Sequence, residues 1–302
     1  MNTSAATTSQ LSSSEWQERR ASHHARVIEW TQPMRDRRAR GESHPVLDFL
    51  HTYYSFSFRK LEDWHPGFGV VLENDSDFPR AFKRPPYQHN ADDTQLDPTH
   101  LPAKKRDQIG WIHMLLSNTQ QRPANFACHG MHEWAMVYSG AEIRHRETVP
   151  LRLPQEEIDA IVDAHPLCCT HYDAFRFFAP ATQPRNRFLP DLSDREDHEQ
   201  PACIHANMDL YKWAFKSMPW IGSDLLWECF QFATRCRKID MRASPYDLSA
   251  LGYEPIRIET EEGRRDYERE QLILMNEGKL IRQKVIATLE NILAASRGTI
   301  SP

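Results

Sequence analysis

The stretch CIHANMDLYKWAF, residues 203–215, is apolar almost all the way round a helix: Met208, Leu210, Tyr211, Trp213, Ala214 and Phe215 cover most of its circumference. A helix of that kind has no face to give to water, so it must lie inside a domain with other elements packed around it. One stripe is different. His205 and Asp209 are four apart and Lys212 follows three later, so all three share one side. Ionisable groups on a buried helix are costly unless they are paired or hydrogen-bonded. The expectation is therefore that this stripe faces a polar pocket.

The remaining patterning supports a helical shell around that segment. Helices are expected over Lys105–Asn118, Phe126–Tyr138, the segment PQEEIDAIVDAHP, and residues 202–217 and 223–239. Glu262–Ala295 reads as a long amphipathic helix with apolar sites from Leu272 to Ile292, which Gly278 would divide. Residues 65–104 and 180–201 are rich in Pro and polar residues and read as loops, with a short hairpin around Gly69–Glu73. No run of strands alternates with these helices. The fold class expected is mostly α: a helical globular domain with long loops and at most a small β element. Three parts are expected: residues 1–40 as a disordered or loosely helical tail, residues 41–260 as the helical core carrying the site, and residues 261–302 as the C-terminal amphipathic helix.

Composition bounds the function. The formal net charge is −5, which does not call for nucleic acid but leaves room for a local basic groove. No segment approaches the roughly 18 consecutive apolar residues of a membrane helix. With no secretion signal in the first 40 residues, the expected location is cytoplasmic and the six cysteines are expected as free thiols.

The pairing of a histidine with a carboxylate recurs outside the 203–215 stretch. His44, Asp48 and His51 lie among Val, Leu and Phe; His132 and Glu133 lie in CHGMHEWAMVY; His171 and Asp173 lie in CCTHYDAFRFF; Asp240 and Asp247 bracket DMRASPYD. A core built of so many titratable groups is expensive, so a shared site is the better expectation. Two chemistries fit. His132, Glu133, His171, Asp173, His205 and Asp209 are the donor types that hold Zn, Fe or Mn between helices. Without a metal, Asp209, Asp173 or Asp240 would act as general base, with His205 and His171 orienting water. Trp134, Tyr138, Tyr172, Tyr211 and Trp213, with Lys212, would then bind a planar substrate.

At HPVLDFLHTYYSF, WHPGFG, HEWAMVY, CCTHYDAFRFF, CIHANMDLYKWAF and DMRASPYDL the chain resembles a bacterial family commonly labelled 3-methyladenine DNA glycosylase, over roughly residues 43 to 275. No helix-hairpin-helix string accompanies the resemblance; LPAKK at 101–105 comes nearest. The resemblance implies a hydrolase that removes alkylated purines from DNA, flipping the base into an aromatic pocket and cutting the glycosidic bond with carboxylate-activated water. DNA carrying a damaged base would be the partner, met by a basic groove from Arg144, Arg146, Arg152, Arg185 and Arg187. The alternatives are a metal-dependent enzyme acting on a small molecule and a non-enzymatic helical scaffold whose C-terminal helix binds a partner.

Overall fold

The computed structural model describes residues 9–141 and 149–297. Among them the chain is mostly α-helical, with one small four-stranded sheet. The helix α9 (Ile204–Lys216) lies at the centre, buried on nearly every side as its composition requires. Helix α10 (Ser223–Arg242) packs along it, and α11 (Glu261–Arg297) crosses both α9 and α4 (Ala103–Gln121). No helix among the described residues is long and apolar enough to cross a membrane.

The N-terminal region departs from the expected loose tail. Ser13–Ala39 forms one continuous helix, α1, started by a capping box in which Ser12 and Glu15 satisfy each other's backbone amides. Trp16 on its first turn is fully buried, stacks on Phe78 and donates its indole N–H to the Glu73 carbonyl. Just before it, β1 (Ser9–Leu11) pairs in parallel with β2 (Val70–Glu73). The charged composition of α1 hid this role, because a few buried side chains on a long helix suffice to dock it. The sheet order is β1-β2-β4-β3, with β3 spanning Tyr87–His89 and β4 spanning Asp93–Leu96. The hairpin is thus β3–β4, whereas β2, expected to lie in a hairpin of its own, bridges β1 and β4.

Gly278 does not divide α11. A Cβ there would stand 2.5 Å from Oδ1 of Asn207, so the missing side chain lets α11 close on α9. Buried Arg282, one turn on, donates to the same Asn207 oxygen at 2.5 Å. Leu274, Ile281, Val285, Leu289 and Ile292 are buried, and Leu272, Ile273 and Leu280 remain exposed.

Two apolar clusters result. One gathers α1, the sheet, α4 and the facing sides of α9–α11. The other is built on α5 (Met131–Val137), α6 (Gln155–Ala164) and the chain after α10, around Trp134, Ile158 and Tyr267. The ionisable residues of interest lie at the seam between them.

His51 lies away from that seam. It is on α2 (Phe49–Tyr53), buried between the rings of Phe58 and Phe230, and burial pushes its pKa down to about 4. Its unfolded-state pKa is near 6.5, so between pH 6.5 and 4 the unfolded chain binds the extra proton and stability falls as pH falls. The loss attributable to this group is about 3 kcal/mol across that window. His51→Leu should remove that part of the acid sensitivity, read from urea unfolding at pH 7 and pH 4.5.

Candidate functional site

The stripe on α9 divides between two neighbouring groups. Among the described residues, two sets of three donors each bring one ligand atom to within 4.8 Å of one another: His132, His205 and Asp240, and His171, Glu199 and Asp209. The six metal-type residues expected from sequence thus split. Glu133 and Asp173 stand beside these sets, and Asp240 and Glu199 take their places within them.

The second set is a closed ion network. Asp209 is buried and accepts from Tyr54 Oη at 2.6 Å, Lys212 Nζ at 2.7 Å, His171 Nε2 at 3.3 Å and Arg195 Nη2 at 3.4 Å. Lys212 also donates to Asp173 at 2.8 Å. Arg195 donates to Glu199 at 2.8 Å and to Asp173 at 3.3 Å. The indole of Trp213 lies under both cations, with Lys212 Nζ 4.4 Å and the Arg195 guanidinium 5.3 Å from its ring. Burial opposes the charge on Asp209, but Lys212, His171 and Arg195 hold its carboxyl well below the usual carboxylate range. Asp173 is lowered in the same way, chiefly by Lys212 against its burial. A divalent ion here would have to displace Arg195 or Lys212. Carboxylates held so firmly as anions are also weak proton acceptors, whereas a general base works best with a pKa near the operating pH.

The first set has a different character. Gly130, at φ 75°, turns the chain into α5, where a Cβ would meet Ala243 and Tyr267 at 3.2–3.3 Å. That turn places His132 and Glu133 against α10. Arg237 Nη1 donates to Asp240 Oδ2 at 2.6 Å and to Glu133 Oε1 at 3.1 Å, while its guanidinium covers the Phe49 ring at 3.6 Å. The other Asp240 oxygen, Oδ1, is 2.8 Å from His132 Nε2. Both atoms are buried, and they form a close ion pair whose alignment is poor for a hydrogen bond. The His205 ring stands nearly perpendicular to that of His132, with centroids 4.4 Å apart. On the far side of His132, Nδ1 is 4.0 Å from the Cys128 sulfur. Burial opposes protonation of His132, but the Asp240 carboxylate holds its pKa well above the ordinary histidine range. Burial and the neighbouring His132 hold His205 well below it, so its imidazole keeps a free lone pair.

His205 opens onto a cavity of about 400 Å3, whose walls include Phe49, Tyr53, Phe177, Glu133, Asp173 and Arg237. Phe49 and Tyr53 stack at 5.1 Å. Of the α9 stripe, only His205 reaches this cavity; Asp209 and Lys212 are absorbed by the ion network.

The expected aromatic residues are placed elsewhere. Trp134 is fully buried and donates to the Ala243 carbonyl, and Tyr211 is fully buried against Phe56 and Phe230. Tyr138 donates to Asp163, and Tyr172 lies half-buried on the short helix α7 (Tyr172–Phe175). Residues that sequence reasoning missed are Arg195, Glu199, Tyr54, Arg237 and the cavity aromatics Phe49, Tyr53 and Phe177. Of the arginines expected to form a groove, Arg144 and Arg146 lie outside the described residues. Arg152 pairs with Glu259 through two bonds of 2.6 Å, Arg185 pairs with Asp163, and Arg187 lies over Phe188. All six cysteines are free.

The chain matches no known family, no curated protein and no solved structure.

Proposed function

We propose that this protein is a metal-dependent enzyme acting on a small molecule, with the ion held by His132, His205 and Asp240 beside the Phe49–Tyr53–Phe177 cavity. One observation carries the reading. His132 Nε2 and Asp240 Oδ1 approach to 2.8 Å inside the protein as an ion pair poorly aligned for a hydrogen bond, next to a second imidazole that stays neutral and within 4.8 Å of both. Two imidazoles and one carboxylate are the donor set of catalytic zinc and non-haem iron centres, which leave coordination positions open for water or substrate, and an ion entering here would displace the proton that Asp240 holds on His132. A bound ion would supply Lewis-acid chemistry at the cavity wall. The chain's own residues would do the rest. Arg237 fixes Asp240 and Glu133 in place, as outer partners of metal ligands commonly do. Glu133 faces the cavity, where it can take up a proton from a bound molecule. Phe49, Tyr53 and Phe177 exclude water and hold an apolar or planar part of the substrate. The free thiols fit a cytoplasmic location.

Elemental analysis of protein purified without metal-affinity resin tests this reading. About one equivalent of zinc, iron or manganese is expected, and His205→Ala should lower it to background while the far-ultraviolet circular dichroism stays unchanged. Protein that carries no transition metal and takes up none on dialysis would overturn the assignment.

A second reading is the one the resemblance implies, a hydrolase of the DNA glycosylase type acting on alkylated purines. It is favoured by a cavity that combines aromatic walls with the Asp173 carboxylate, whose firmly held negative charge would stabilise the positive charge that develops on the sugar. Release of free base from methylated DNA, lost in Asp173→Asn, would support it.

A further inference from the structure

A second cavity, of about 630 Å3, opens beside the C-terminal turn of α9. Lys216 lines it, and His205 lies eleven residues earlier on the same helix, roughly 16 Å away along the axis. The two cavities share no lining residue. The apolar part of this second cavity includes Phe56 and Phe215, whose rings stack at 3.9 Å and 2°. Three lysines line it as well, Lys60, Lys105 and Lys216, the last with its Nζ 5.3 Å from the Trp213 ring.

The cations are unbalanced. Among the described residues no carboxylate lies within ion-pair distance of any of the three. Asp63, the one acid on the lining, is 3.8 Å from Arg59. Lys105 donates to the Lys216 carbonyl and to Gln108, and so satisfies the end of α9 without cancelling any charge on Lys60 or Lys216. Lys105 also sits in the first turn of α4, which begins without a side-chain cap and adds the positive end of a helix dipole. His65, also on the lining, is pushed down to about 4 by burial and is neutral. Burial, with repulsion from Lys216 and Lys60, holds Lys105 below the ordinary lysine range; burial, with repulsion from Lys212 set against attraction to Asp209, does the same for Lys216. Gathering like charges around an apolar floor is unfavourable in the free protein and is offset when an anion enters.

We infer that this cavity is a second binding site, for a small molecule with a flat apolar body and a phosphate group, the body resting against Phe56 and Phe215 and the phosphate held among Lys60, Lys105 and Lys216. Lysine binds phosphate as a mobile point charge, and an aromatic ring recognises a flat body by stacking. The inference is independent of the metal set, so it can be tested on chelator-treated protein.

Isothermal titration with phenyl phosphate, inorganic phosphate and phenol is the test. Phenyl phosphate should bind at least tenfold more tightly than either fragment. Lys60→Ala, an exposed change that leaves the core intact, and Lys216→Ala should each weaken it about tenfold, and Phe215→Leu should remove most of the advantage over inorganic phosphate. Phenyl phosphate that binds no better than inorganic phosphate, or equally well to both lysine variants, would overturn the inference. A short single-stranded oligonucleotide that binds more tightly than phenyl phosphate, with the same lysine dependence, would replace the small ligand by nucleic acid.

Discussion

Asp209→Ala should lower stability by roughly 3–5 kcal/mol, the usual cost of breaking a buried ion pair from one side. The carboxylate accepts from four donors on four separate segments: Tyr54, His171, Arg195 and Lys212. Its removal leaves Lys212 and Arg195 sharing Asp173 and Glu199, with the phenol of Tyr54 unpaired in the interior. Urea unfolding of the wild type, Asp209→Ala and the Asp209→Ala/Lys212→Met double variant measures this. The double variant should recover a substantial part of the loss, because the methionine has no charge left to compensate. A single-variant loss below about 1 kcal/mol would mean that water reaches these groups and that the network is not a buried tie.

If His132, His205 and Asp240 hold an ion as proposed, its removal should lower the melting temperature by on the order of 10 °C. A ligand present at a thousand times its dissociation constant stabilises the fold by about 4 kcal/mol. In a chain of this size each kcal/mol moves the midpoint by roughly 2–4 °C. The effect should be reversed by zinc or manganese and absent in Asp240→Asn, which keeps the side-chain volume but loses the anionic donor. A wild-type melting curve indifferent to chelator and to added ions would overturn both this prediction and the ligand set.

The recurrence of histidine beside carboxylate in separate apolar segments was legible in the sequence, and the structure gathers several of these residues into two neighbouring groups. His132, His171, His205, Asp209 and Asp240 do converge. What spacing along the chain could not reveal is which of them face each other. Asp240 meets His132 across 108 positions and Tyr54 meets Asp209 across 155, and no local rule connects such residues. Arg195 was hidden for another reason. It lies on a four-residue helix, Arg195–His198, inside a Pro-containing polar stretch that reads as loop, yet its guanidinium is almost wholly buried. The aromatics misled because composition does not separate a pocket wall from a core. Trp134 and Tyr211 are core, and the less conspicuous Phe49 and Tyr53 line the cavity. The mostly helical class followed directly from the 3.6-residue patterning, whereas the packed N-terminal helix was masked by its charge.

The close approach of α11 to α9 has a bearing on how the protein is made. Asn207, on the central helix, is satisfied by Arg282, which lies 75 positions further along. At 5–20 residues per second, a ribosome needs roughly 4–15 s to bridge that interval. During that time α9 has been synthesised, but the helix that covers it has not. The nascent chain therefore carries the face of α9 that meets α11 uncovered, with Asn207 still lacking Arg282, until α11 emerges. The centre of this protein closes only after α11 has been made, and its yield in the cell should depend on whatever shields α9 in the interval.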